Sequence, residues 1–91
     1  MGARLGQRFL FDPAILGRIA DAALISKGDH VLEIGPGHGP LTRELATRAA
    51  RVTAIETDAR LAAALAAQFA GSNVTIVHAD ALKTDWPRAD V

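Results

Sequence analysis

The 91-residue chain contains no cysteine, which excludes a disulfide framework and any thiolate metal site. A reducing cytoplasm suits that composition. An excess of charge is missing too, since ten Lys and Arg balance ten Asp and Glu. This sets the chain apart from disordered and nucleic-acid-coating proteins. No apolar run approaches the roughly 20 residues that span a bilayer, and no signal-peptide core opens the chain. Internal repeats and low-complexity tracts are absent as well. The expectation is a soluble, cytoplasmic protein. What is present is a 49% hydrophobic share, enough for one small domain with a modest core. Arg4, Arg8 and Arg18 against Asp12 give the first 20 residues a mild basic bias. Such a bias meets phosphate in some proteins and marks a solvated face in more.

The order of elements follows from local signals. Asp12-Pro13 opens a helix, because Asp accepts a first-turn amide and Pro is pre-set for the first helical position. Ile15, Leu16, Ile19, Ala20, Ala23 and Leu24 recur at helical spacing, so the helix is expected over 13–25. Lys27-Gly28-Asp29 breaks it. His30-Val31-Leu32-Glu33-Ile34 is a short apolar run before a glycine cluster and reads as a buried strand. Pro40 then starts a second helix, whose Leu41, Leu45, Ala46 and Ala49 line one side to about Ala50. Residues 51–56 form a second strand. Asp58 caps a third helix carrying Leu61, Leu65 and Phe69, Gly71-Ser72-Asn73 ends it, and residues 74–78 form a third strand. Short connections between such units imply right-handed parallel crossovers, hence half of a doubly wound α/β sheet.

The strongest chemical signal is Glu33-Ile34-Gly35-Pro36-Gly37-His38-Gly39, set between a strand and a helix. Gly35 and Gly37 let the backbone turn sharply and approach a ligand with no Cβ in the way, while the following helix offers free amides. The bland alternative is a plain tight turn. A dinucleotide fingerprint needs G-x-G-x-x-G, and here Pro40 stands where its last glycine belongs, which argues against NAD. An acid followed by G-x-G-x-G instead resembles the first motif of S-adenosylmethionine-dependent methyltransferases. Glu56 follows Gly35 by 21 residues at a strand end, where a carboxylate accepts from both ribose hydroxyls; its alternative is a helix-flanking acid. Asp80 comes just after the third strand. There a carboxylate accepts from an adenine amino group, the Ala81 N–H donates to a ring nitrogen and Leu82 packs on the base; alternatively, Asp80 only forms a turn. Such ligands bind outside the carboxyl ends of the strands. Glu33 suits a loop-organising role better than direct contact with the methionine amino group. His30, His38 and His78 lack metal-ligand spacing.

Together with Leu5-Gly6-Gln7-Arg8-Phe9-Leu10, these motifs closely resemble the ribosomal RNA adenine N6-dimethyltransferases over essentially all 91 residues. The segments that carry the likeness are G-Q-x-F-L, Asp12-Pro13, V-L-E-I-G-P-G-x-G-x-L-T, V-T-A-I-E and H-A-D-A-L. The resemblance implies a Rossmann-like methyltransferase fold and S-adenosylmethionine bound by Arg8, Leu10, Gly35, Gly37, Glu56, Asp80 and Ala81. It also implies ribosomal RNA of the small subunit as partner. Arg8 departs from the family's usual Asn, so its guanidinium faces either the cofactor carboxylate or RNA. Pro36 favours the small-subunit branch over the antibiotic-resistance branch that methylates large-subunit rRNA. A nicotinamide-dependent oxidoreductase and a non-catalytic self-associating module are the readings from other classes.

The family's acceptor-binding N-L-P-Y-type motif follows a fourth strand and does not occur in this sequence. The chain is therefore expected to be an N-terminal half, able to bind cofactor but not to act alone. Lys83 to Val91, with Trp86-Pro87, reads as a connection towards that fourth strand. In a doubly wound sheet the first strand is central, so its second edge and one apolar face are expected to stay open and promote self-association.

Overall fold

A computed structural model of the chain describes residues 12–84 and 89–91. Six elements follow one another: α1 (Pro13–Ala22), β1 (His30–Ile34), α2 (Pro40–Arg48), β2 (Arg51–Glu56), α3 (Ala59–Gln68) and β3 (Val74–His78). The strands pair in parallel in the order β1-β2-β3, so the expected three-stranded α/β half-sheet is present.

The register explains where the core lies. Val31, Val52 and Val74 are cross-strand partners. Side chains alternate along a strand, so these three point to one face. They join Ala20 of α1, Leu45 of α2, and Leu65 and Phe69 from the end of α3 in a single buried cluster. All three helices therefore pack on that face. Burying side chains of the size of Leu65, 2% exposed, contributes about 1.5–3 kcal/mol each. The alternate row, Ile34, Ile55 and Val77, faces the other way and includes Ile34 at 47% exposed.

The helix starts follow the sequence closely. Asp12 Oδ1 accepts the Ala14 N–H at 2.9 Å, and Asp58 Oδ1 accepts those of Arg60 and Leu61 at 2.8 and 3.1 Å. The ends are shorter than expected. α1 stops at Ala22 rather than 25, because Leu24 turns into the left-handed region (φ 54°) and its side chain is exposed. A non-glycine residue there costs on the order of 1–2 kcal/mol, which helical periodicity gives no means of foreseeing. α2 stops at Arg48, with Ala49 extended. Its last carbonyls are met by Asn73, whose Nδ2 donates to Ala46 O at 2.9 Å and Ala49 O at 3.2 Å.

The second edge of β1 is not bare along its whole length. Val91 N–H donates to His30 O at 3.3 Å and Leu32 N–H donates to Val91 O at 2.9 Å, the slanted pattern of a parallel pair. Asp90 adds a backbone bond to His30 O at 2.8 Å and accepts the His30 N–H on its Oδ2 at 2.8 Å. The start of β1 is thus flanked on both sides, which modifies the expectation of an open edge. At its C-terminal end, Ile34 has no strand partner on that side among the described residues. On the same side of the sheet as Ile34, buried His30 Nε2 lies 2.7 Å from Thr53 Oγ1, so two buried polar side chains meet each other.

Candidate functional site

The carboxyl ends of the three strands meet at one place. β1 runs straight into the glycine loop, whose first amide, Gly35 N–H, still donates to Ile55 O at 2.9 Å as though the strand continued. The loop then leaves the sheet through left-handed residues: Gly35 at φ 69°, Gly37 at 62° and Gly39 at 85°. Gly35 and Gly37 differ from Gly39 in what surrounds them. A Cβ added at either of the first two meets nothing within 4 Å, so these positions face open space. A Cβ at Gly39 would lie 2.9 Å from Leu65 Cδ2 and 3.1 Å from Phe69 Cε2. The last glycine therefore serves packing against α3, whereas the first two leave the loop approachable.

A cleft of about 470 Å³ opens beside the loop, walled by Ile34, Gly35, Ile55, Thr57, Ala79, Asp80, Ala81 and Leu82. That size lies within the usual range of small-molecule pockets. Its walls are mostly apolar, and Leu82 is 93% exposed, an unusual position for a leucine with nothing to cover it. Three of the sequence-derived site residues, Gly35, Asp80 and Ala81, thus share one cavity.

Glu56 sits beside this cleft rather than in its wall. It lies between two lining residues, Ile55 and Thr57, and is 5% exposed. Its Oε2 accepts the Asp58 N–H at 2.9 Å and its Oε1 the Gly37 N–H at 3.4 Å. The second contact is long, and it ties the tip of the glycine loop to the end of β2. A carboxylate has about four lone-pair positions, so these bonds leave capacity for further donors. Asp80 does form the turn envisaged as its alternative role: its Oδ1 accepts the Leu82 N–H and its carbonyl the Lys83 N–H, both at 2.9 Å. Its side chain is nonetheless exposed at the cleft, so the turn holds the carboxylate in place. Arg8 and Leu10 lie outside the described residues.

A further pair spans the base of the loop. Thr42 in the first turn of α2 is fully buried, and its hydroxyl donates to Glu33 Oε1 at 2.5 Å. Burial pushes the Glu33 carboxyl above its ordinary value, and the Thr42 hydroxyl draws it part of the way back. Thr42, Ile34 and Ile55 fall within segments that carry the family likeness, but periodicity and spacing give them, and Thr57, no part in this region. The contact between Glu33 and Thr42 depends on the loop folding back.

Comparison with known proteins agrees with this geometry. The chain matches the family described as Ribosomal RNA adenine dimethylase over residues 2–91. It is 54% identical over 82 residues to Ribosomal RNA small subunit methyltransferase A of Deinococcus radiodurans, covering 90% of this chain and 28% of that protein. Among solved structures, it is similar to the 23S rRNA methyltransferase ErmE, with a TM-score of 0.77 and 45% identity over 84% of this chain and 32% of that one. It is also similar to a dimethyladenosine transferase from Plasmodium falciparum, with a TM-score of 0.75 and 38% identity over 87% of this chain and 30% of that one. The chain thus spans under a third of the length of each of these three proteins. With a family match across nearly its whole length and a methyltransferase-type half-sheet, the chain belongs to the ribosomal RNA adenine dimethylase family.

Proposed function

We propose that this chain forms the S-adenosylmethionine-binding region of an enzyme that dimethylates adenosine N6 in small-subunit ribosomal RNA. The observation that carries the reading is the shared cleft, in which the open backbone of Gly35 after β1 and the exposed Asp80 carboxylate after β3 stand on either side of the end of β2. A nucleoside fits this donor set. Ile34, Ile55 and Leu82 supply apolar contact for a base, Asp80 an acceptor for its amino group, and Ala81 the neighbouring backbone. Glu56, next to the cleft, has the capacity to accept from ribose hydroxyls. Gly35 and Gly37 leave room for the rest of the ligand, since no side chain projects from them. When bound, the cofactor would supply an electrophilic methyl group on sulfur. The residues of this chain hold and orient it, and Arg8 and Leu10 belong to the same proposed set.

Holding the target adenine requires acceptors for its amino protons and a ring to stack on the base, because the N6 lone pair is delocalised. No residue of this chain is assigned that part. Two measurements test the reading. Titration calorimetry of the chain should show binding of S-adenosylhomocysteine and none of NAD; the reverse preference would overturn the cofactor assignment. A full-length protein carrying this sequence should methylate small ribosomal subunits in preference to large ones. The similarity to ErmE makes large-subunit rRNA the second reading, and preferential labelling of that subunit would establish it. Self-association through the remaining open part of β1 is proposed as well, to be read from concentration-dependent sedimentation.

A further inference from the structure

His78, the last residue of β3, pairs across the sheet with Glu56, the last residue of β2, so the two side chains stand side by side on the helix-covered face. The ring Nε2 of His78 lies 3.1 Å from Thr57 O. A carbonyl oxygen only accepts, so the proton sits on Nε2 and the ring donates. That oxygen belongs to the peptide joining Thr57 to Asp58, and the N–H of the same peptide donates to Glu56 Oε2 at 2.9 Å. One peptide unit is thus gripped at both ends by two paired residues of adjacent strands.

A trans peptide is planar, and its C=O and N–H point in opposite directions, so rotating the plane breaks both bonds together. The clamp sits where the chain leaves the sheet. Ala79 N–H still donates to Glu56 O at 3.1 Å as part of the ladder, whereas Thr57 turns away towards the Asp58 cap of α3. The His78 ring carries the hold of β3 one residue further. Stability does not call for this bond, because His78 and Thr57 are both exposed and water would serve the carbonyl nearly as well. Orientation does call for it. Thr57 lines the cleft and Glu56 borders it, with Gly37 N–H at 3.4 Å the one other donor to the Glu56 carboxylate among the described residues.

We propose that His78 is a positioning residue of the cofactor cleft. By holding the Thr57 carbonyl it fixes the 57–58 peptide, which keeps Thr57 in the cleft wall and the Glu56 carboxylate in one orientation. This rests on the proposed cofactor reading and adds to it a residue of β3 that sets the geometry at the end of β2. His78 is not among the residues that wall the cleft, so its action passes through the peptide.

Two variants separate the hydrogen bond from the ring. His78→Phe keeps a ring and loses the donor, whereas His78→Gln places an amide nitrogen as many bonds from the backbone as Nε2 is. Position 78 is exposed, so both variants should fold, which circular dichroism checks. Amide hydrogen exchange of the chain reads the clamp without any ligand. In His78→Phe the Asp58 amide should exchange about fivefold faster than in the wild type, while the Arg60 and Leu61 amides held by the Asp58 cap stay within about twofold. Calorimetry with S-adenosylhomocysteine should show about a fivefold loss of affinity for His78→Phe, and His78→Gln should recover both quantities. Equal acceleration at Arg60 and Leu61 would mean a merely structural role and overturn the inference. An unchanged Asp58 amide, or a faster one with unchanged affinity, would overturn it too, and all three results leave the cofactor reading intact. A wild type that binds no S-adenosylhomocysteine would remove that reading and this inference together.

Discussion

Replacing Gly39 with alanine isolates what the third glycine of the loop contributes. Its φ of 85° costs an L-residue on the order of 1–2 kcal/mol. The added methyl would also lie 2.9 Å from Leu65 Cδ2 and 3.1 Å from Phe69 Cε2. Both side chains are core members, 2% and 7% exposed, so neither swings aside into solvent. Overpacking of this kind costs about 1–3 kcal/mol, for a total near 2–5 kcal/mol. Gly35→Ala is the internal control. Its φ of 69° carries the same backbone penalty, but its methyl meets nothing within 4 Å, so the loss should stay near 1–2 kcal/mol. The gap between the two variants, about 1–3 kcal/mol, corresponds to roughly 5–20 °C in Tm for a chain of this size. Urea and thermal unfolding followed by circular dichroism measure it. Equal destabilisation by the two substitutions would refute the assignment of Gly39 to packing against α3.

Three further outcomes are expected. Asp58→Ala removes the acceptor for two first-turn amides of α3 and should cost about 1 kcal/mol in urea unfolding, with Asp58→Asn recovering most of it. Asn73→Ala leaves the carbonyls of Ala46 and Ala49 without their side-chain donor and should cost about 1–3 kcal/mol, although Asn73 belongs to neither α2 nor a strand. Glu33 gives a pH dependence of defined sign. Its pKa is raised on folding, so the folded chain binds the proton more tightly than the unfolded one. That stabilisation is complete below the ordinary value of 4.5 and is lost as pH rises through the elevated folded value. The stability of Glu33→Gln relative to wild type should therefore increase with pH, and urea midpoints that show the opposite slope would contradict the burial argument.

Much of this molecule was legible in the sequence because its signals are local. A cap needs only an acceptor two or three residues before the amides it serves, so Asp12 and Asp58 announced their helices. Strands buried by parallel pairing are short apolar runs, and the run from His30 to Ile34 ended where the glycines began. The carboxyl ends of three such strands must come together once the sheet forms, which is why Gly35 and Asp80 were identifiable as neighbours 45 positions apart.

Tertiary structure decided whatever depended on contacts between distant segments. Gly35 and Gly39 look alike in the motif, yet one faces open space and the other faces α3, a distinction set by how the helix docks. The left-handed turn at Leu24 ended α1 against its own apolar periodicity. Thr42 reached Glu33, Asn73 reached the end of α2, and Val91 reached β1 only after the chain had folded back. Periodicity and capping act within a few residues, whereas packing, burial and the choice of hydrogen-bond partner depend on what the rest of the chain brings alongside.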